Sequence, residues 1–263
     1  MSSHLKNISG PFVKASLLTA FLAVSAFAAS AATLPRSTAL PVAFSTTLEA
    51  GKVRVNDPVR AHTMQQVVLP DGTQIPKGTV LLGHVTESTG FHFDDTPYAT
   101  QKPSILGIHF DQVELKNGAV STHFLLRAIA GAGNVEDATR PVNATDSEPN
   151  GPIVLVGGDI YLPPDDKVRA RNGNVVAYVR KNGIYAHLLP AEAKNASEGM
   201  RCDAVLTEQS VAVFSAEACG VYGVYQSSLA NNGNDGSGTF VLSSTQNSVT
   251  IPAHSAALLE SAE

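Results

Sequence analysis

The chain contains no tryptophan, two cysteines, and charged side chains at only 16% of its 263 positions. Without Trp, and with aromatics at 6% of the chain, a sugar-binding surface built on indole stacking is not expected. Clusters of Lys and Arg are also missing. The net charge of −5 becomes −7 once Lys6 and Lys14 of the leader described below are set aside, so nucleic acid, which is held through clustered cations, is not an expected partner. Beyond residue 31 there is no Gly-x-Ser-x-Gly elbow, no Ser-x-x-Lys pair, no His-Glu-x-x-His and no phosphate-cradling glycine loop, which removes the usual signatures of hydrolases and nucleotide-binding enzymes. No later segment is apolar enough to cross a bilayer as a helix, so no transmembrane helix is expected in the mature chain.

What is present begins with a basic start, Lys6 and Lys14, followed by an apolar run over Ala15–Ala29 and small residues at Ala29-Ser30-Ala31. This is the layout of a secretory signal peptide over residues 1–31, with cleavage expected before Ala32. The alternative, a retained anchor, fits a run of this length and alanine content less well. Both cysteines lie in the exported part, and an even count in an oxidising compartment predicts a Cys202–Cys219 disulfide, closing 17 positions and contributing about 3 kcal/mol. The alternative of a metal pair or a catalytic thiol lacks a nearby His.

From Leu40 the pattern has period two. Leu40, Val42, Phe44 and Leu48 share one parity, as do Val120, Thr122, Phe124, Leu126 and Ala128, predicting half-buried strands. Pro70-Asp71-Gly72 and Pro76-Lys77-Gly78 mark turns on either side of a short segment. Asn117-Gly118, Asn172-Gly173 and Asn182-Gly183 carry the positive-φ chemistry of tight turns. In "LGIHFDQVEL" the apolar parity switches from Leu106, Ile108 and Phe110 to Val113 and Leu115, a phase slip that predicts a β-bulge near Asp111. Residues 131–152 are polar and rich in Gly and Pro and read as a linker or loop; "PAEAKNASEG", 190–199, reads as a short helix. The expectation is an all-β chain: a barrel-like module over 38–130, then a smaller disulfide-containing β module over 153–263.

The succession "ALPVAFSTTLEAG", "VNDPVRA", "VVLPDGTQIPKGTVLLGHV", "LGIHFDQVELKNG" over residues 39–128 resembles the β-barrel domain of the TrbI family, a component of the outer-membrane complexes of conjugation and type IV secretion. The resemblance implies a barrel in the cell envelope with structural and protein-binding duties and no catalytic residues to carry over. Family members add a Pro-rich stalk and an apolar helical hairpin, whereas residues 131–152 here are polar. The chain is also similar to signal-bearing bacterial envelope proteins that share this start and the "CGVYG" tail, Cys219–Gly223.

The functional expectation is a non-enzymatic exported envelope protein of the periplasm or outer envelope. Its partners would be envelope proteins or further copies of itself, and no cofactor and no catalytic residue are assigned. The alternative is an exported hydrolase or carbohydrate-acting enzyme whose site is built from distant residues. "FHFDD" and "IHFDQ" each set His two positions before Asp, on one face of a strand, so His92, Asp94, His109 and Asp111 are the candidate metal-binding set if the two segments pair. A third reading is a small-ligand site inside the barrel, which requires inward residues that leave a cavity.

Overall fold

Among the described residues, alternating apolar side chains become strands from Ala39 to Ser261. The computed structural model describes residues 34–97, 100–116, 118–140, 151–231 and 237–262; the expected leader, Asn117 and residues 141–150 of the expected linker lie outside them. The first strands are β1 (Ala39–Phe44), β2 (Leu48–Glu49), β3 (Pro58–Thr63), β4 (Val67–Val68), β5 (Gln74–Ile75), β6 (Val80–Thr89), β7 (Ser104–Leu115), β8 (Gly118–Ser121) and β9 (Phe124–Ala130). Helix α1 (Ala132–Thr139) precedes β10 (Ile153–Val154), β11 (Ile160–Tyr161), β12 (Lys167–Arg169), β13 (Val175–Arg180), β14 (Gly183–Leu188), β15 (Ala191–Glu192), β16 (Arg201–Cys202) and β17 (Val205–Ser210). The last are β18 (Gly220–Tyr222), β19 (Ser228–Asn231), β20 (Thr239–Ser244), β21 (Thr250–Ile251) and β22 (Ala256–Ser261).

Nine strands follow one another in the order β18-β9-β22-β1-β3-β6-β7-β20-β19, with β8 paired onto β7. This sheet curls into a nearly closed barrel. On β1 and β7 its inward residues are the parities expected from the sequence, Leu40, Val42 and Phe44 and Leu106, Ile108 and Phe110; Phe240 and Leu242 on β20 join them, all buried. The Phe44, Phe110 and Phe240 rings run through the interior at centroid separations of 6.1 and 6.4 Å, each burial contributing about 1.5–3 kcal/mol. Side chains fill the barrel at this level, where a ligand-holding barrel would need space.

A six-stranded sheet, β10-β11-β12-β13-β14-β17, covers one wall of the barrel. Val168, Ala177, Ala186, Leu188 and Val205 of that sheet share a core with Ala39, Ala128, Ala130, Ala256 and Leu258 on the outer faces of β1, β9 and β22. The small alanines let the layers approach closely. For this reason β1 is buried along its whole length and is not half-buried as its alternation suggested.

Three expectations are corrected. Residues after 153 do not form a module of their own, because β18, β19, β20 and β22 belong to the barrel sheet and Ala32–Glu263 is one compact unit. The expected linker begins with α1, whose Val135 and Ala138, three apart on one helical face, are buried against the second core. The expected helix at 190–199 is instead β15 followed by an extended segment that fills the seam between the barrel's end strands. There the Lys194 amide donates to Cys219 O at 3.0 Å and the Val221 amide to Lys194 O at 2.9 Å on the β18 side; the Leu229 amide donates to Asn195 O at 2.8 Å on the β19 side. Gly220, at φ +91°, makes this approach possible, since a Cβ there would sit 2.2 Å from Lys194 O.

The seam is held by two further ties. The Cys202–Cys219 disulfide forms as expected and fastens β16, which pairs with β15, to the residue preceding β18. The second tie is Arg127. Leu258 pairs with Ala128 and Leu259 with Leu126, so Arg127 is the extra residue of a bulge in β9, which re-aims its side chain. The buried guanidinium donates to Ala218 O at 3.1 Å, Asp203 O at 2.7 Å, Glu260 Oε1 at 2.9 Å, and Leu189 O.

Candidate functional site

The wall of the barrel that carries the most side-chain chemistry is built by β6 and β7. Their register sets His84 opposite His109 and then slips, pairing Gly83 with Phe110 and Leu82 with Gln112. Asp111 is the unpaired extra residue, so the bulge expected from the apolar phase slip is present at that residue. Gly83 is required by the close approach, because a Cβ there would lie 2.2 Å from the His109 carbonyl oxygen. The bulge keeps Phe110 and Val113 in the core while leaving Asp111 on the outer face beside the two histidines.

His84 Nδ1 lies 2.9 Å from Asp111 Oδ2, and His109 Nε2 lies 3.6 Å from Asp111 Oδ1. The rings of His84 and His109 are 5.4 Å apart, and that of His123, between β8 and β9, is 5.6 Å from His109. Two imidazoles thus share one carboxylate, and a third ring, that of His123, packs beside His109. Burial holds the His109 ring below its ordinary pKa; Asp111 and a hydrogen bond with the Gly238 backbone oppose this, and His84 and His123 reinforce it. His84 and Asp111 remain partly accessible, with 35% and 46% of their side chains exposed, against 14% for His109.

The structure therefore brings together two of the four expected site residues and supplies different companions. His109 and Asp111 meet His84 and His123. His92 and Asp94 lie past Thr89↔Ile105, the last pair of the β6–β7 ladder, in a loop where the Asp94 carboxylate accepts from the Thr96 amide at 2.9 Å and from its hydroxyl. Those hydrogen bonds hold the Asp94 carboxyl below its ordinary pKa. The two "HxD" segments do not pair because the second belongs to a strand and the first to the connection leading to it. Asp111 spends its oxygens on the two rings. Among the described residues, no group of three or more His, Cys, Asp or Glu is arranged to hold a metal ion.

The arrangement resembles part of a hydrolytic relay, in which a carboxylate orients an imidazole. Among the described residues, no Ser, Thr or Cys side chain hydrogen-bonds to the His84 ring. Elsewhere, a cavity of about 440 Å³ opens between the second sheet and the β4–β5 hairpin, lined in part by Leu69, Arg180, Tyr185 and Glu208. Arg180 grips Glu208 through two bonds of 2.5 and 2.6 Å and lies 5.5 Å over the Tyr185 ring, so its charge is already answered.

His84, His123 and Arg127 were not singled out by the sequence. A signal existed for Arg127, a lone cation inside the apolar run "FLLRAIA". None existed for the histidines, whose meeting depends on cross-strand register.

No protein-family model, curated protein or solved structure matches this chain. No helix among the described residues is long and apolar enough to cross a membrane. That fact and the disulfide are compatible with an exported protein.

Proposed function

We propose that this protein is an exported envelope component whose role is structural and protein-binding, acting through its outer surfaces. The observation that carries this reading is the disposition of the strongest ties. The barrel interior is packed by Phe44, Phe110 and Phe240, and the seam is locked by Cys202–Cys219 and by Arg127. Such a body presents a fixed exterior, and its disulfide suits an oxidising compartment. The likeness of residues 39–128 to the TrbI barrel adds the expectation of association with envelope proteins or with further copies.

The test is in-cell cross-linking in a bacterium expressing the full chain, followed by fractionation, purification and absolute mass by light scattering. Recovery from the periplasm or envelope in a defined complex supports the reading, and a ring-sized assembly supports the TrbI resemblance in particular. Recovery from the cytoplasm as an uncomplexed monomer with free thiols refutes it. A hydrolase is the second reading, favoured by the His84–Asp111 contact alone. Turnover of ester or glycoside substrates that is lost in His84→Ala would establish it in place of the first.

A further inference from the structure

The turn Gly157-Gly158-Asp159, which links β10 to β11, has both glycines at positive φ, +115° and +112°. A Cβ on Gly157 would come within 2.7 Å of Ser215 Cβ, and one on Gly158 would lie 3.0 Å from both Nε and Nη2 of Arg171. The bare backbone at 158 is what lets the Arg171 guanidinium lie against the turn. Arg171 is exposed, and within the described structure its guanidinium makes no ion pair and no hydrogen bond. Its five donors are therefore open to a ligand, whereas those of Arg127 and Arg180 are spent on protein acceptors.

Arg171 faces a cavity of about 310 Å³ where the second sheet, α1 and the barrel seam meet. Lys194 of the seam segment reaches the same cavity, its ammonium 5.4 Å over the Tyr222 ring and in no ion pair among the described residues. Asn134 and Asp137 of α1 and the apolar side chain of Val154 complete the wall. Two cations face one carboxylate, giving the cavity a positive balance within a chain of net charge −5. The planar fork of Arg171 matches an oxyanion bidentately, Lys194 adds a point charge, and Asn134 and Asp137 offer partners for hydroxyl groups.

We propose that this cavity binds a small phosphate monoester of a polyol, with the phosphate between Arg171 and Lys194 and the hydroxyls toward Asn134 and Asp137. The volume leaves room for the polyol beside the phosphate, within the range of small-molecule sites. The same chemistry is presented by a soluble ester and by a phospholipid headgroup.

The test is titration of the purified full chain with glycerol 3-phosphate, orthophosphate and glycerol, read by calorimetry. In parallel, flotation is measured with phosphatidylcholine vesicles with and without phosphatidic acid. Saturable binding of glycerol 3-phosphate, weaker for orthophosphate and absent for glycerol, is expected. Binding to acidic vesicles with none to the soluble ester would support the same site and assign its source to the lipid. Arg171→Gln, which loses no hydrogen bond or ion pair among the described residues and should melt as the wild type does, is expected to weaken binding by about tenfold or more, the scale of a lost charge-assisted bond; Lys194→Gln should act likewise. Lys167→Gln on β12, outside the cavity, should leave binding unchanged. Absence of saturable binding to both ester and vesicles overturns the proposal, as does binding that survives Arg171→Gln or falls equally in Lys167→Gln. Orthophosphate binding as tightly as the ester would remove the polyol.

Discussion

Arg127 offers the sharpest test of how this fold is held. Its side chain is 1% exposed and bonds to the backbone carbonyls of Leu189, Asp203 and Ala218 and to Glu260, itself 16% exposed. Arg127→Met keeps most of the stem volume and removes every donor. Three carbonyls and a carboxylate then lose their partner in a place water reaches poorly. Breaking a buried pair from one side costs about 3–5 kcal/mol, which for a chain of this size lowers the melting temperature by about 6–20 °C. The loss also carries a pH signature. Burial raises the Glu260 carboxyl above its ordinary pKa while Arg127 pulls it down; without Arg127 the folded-state value climbs further. A raised folded-state pKa gives stability that is present below the unfolded value and is lost as pH rises through the folded one. Urea unfolding should therefore find Arg127→Met more damaging at neutral pH than near pH 4, and Glu260→Gln in the variant background should recover part of the neutral-pH loss. A destabilisation below about 1 kcal/mol, or one equal at both pH values, would refute the account of Arg127 as the polar tie of the seam.

Reduction of Cys202–Cys219, or Cys202→Ser with Cys219→Ser, should cost about 3 kcal/mol from the 17-residue separation, and a melt unchanged by reductant would contradict the clasp. Phe110→Ala should cost about 3–5 kcal/mol in urea unfolding, since its ring packs between Phe44 and Phe240. Gly220→Ala should destabilise by more than about 1 kcal/mol, because the residue is held at φ +91° and its new Cβ would meet Lys194 O; a neutral effect would show that the seam segment yields. His109 has a folded-state pKa below 6.5, so the stability its neutral ring supplies is present above that value and drains as pH falls through the folded one. The difference in stability between wild type and His109→Asn should follow that course below pH 6.5, and a pH-independent difference would exclude it.

The candidate site shows where inference from sequence stops. The bulge at Asp111 was legible because a bulge leaves a local mark, the shift from Leu106, Ile108 and Phe110 to Val113. The turn into β14 was legible for the same kind of reason: Asn182-Gly183 carries its own backbone requirement, and Gly183 has φ +137°. What stood beside Asp111 was not. His92 was the companion the sequence offered and His84 was not singled out; only the register of β6 against β7 separates a residue facing the cluster from one in the loop beyond it.

By itself the sequence determined the strand content, the inward parity of β1 and β7, the turns, and the pairing of its only two cysteines. Each of these follows from local stereochemistry or from having a single choice. The tertiary structure alone decided that β18, β19, β20 and β22 complete the barrel begun by β1, that alanines on its outer wall carry a second sheet, and that residues 194–197 close the seam. Those outcomes depend on contacts between residues well separated in the chain, from 220 − 194 = 26 positions for Lys194 and Gly220 to 260 − 39 = 221 for Ala39 and Glu260, and the free energy that selects among such pairings, the summed burial of both cores with every backbone group paired, belongs to no segment of the chain taken alone.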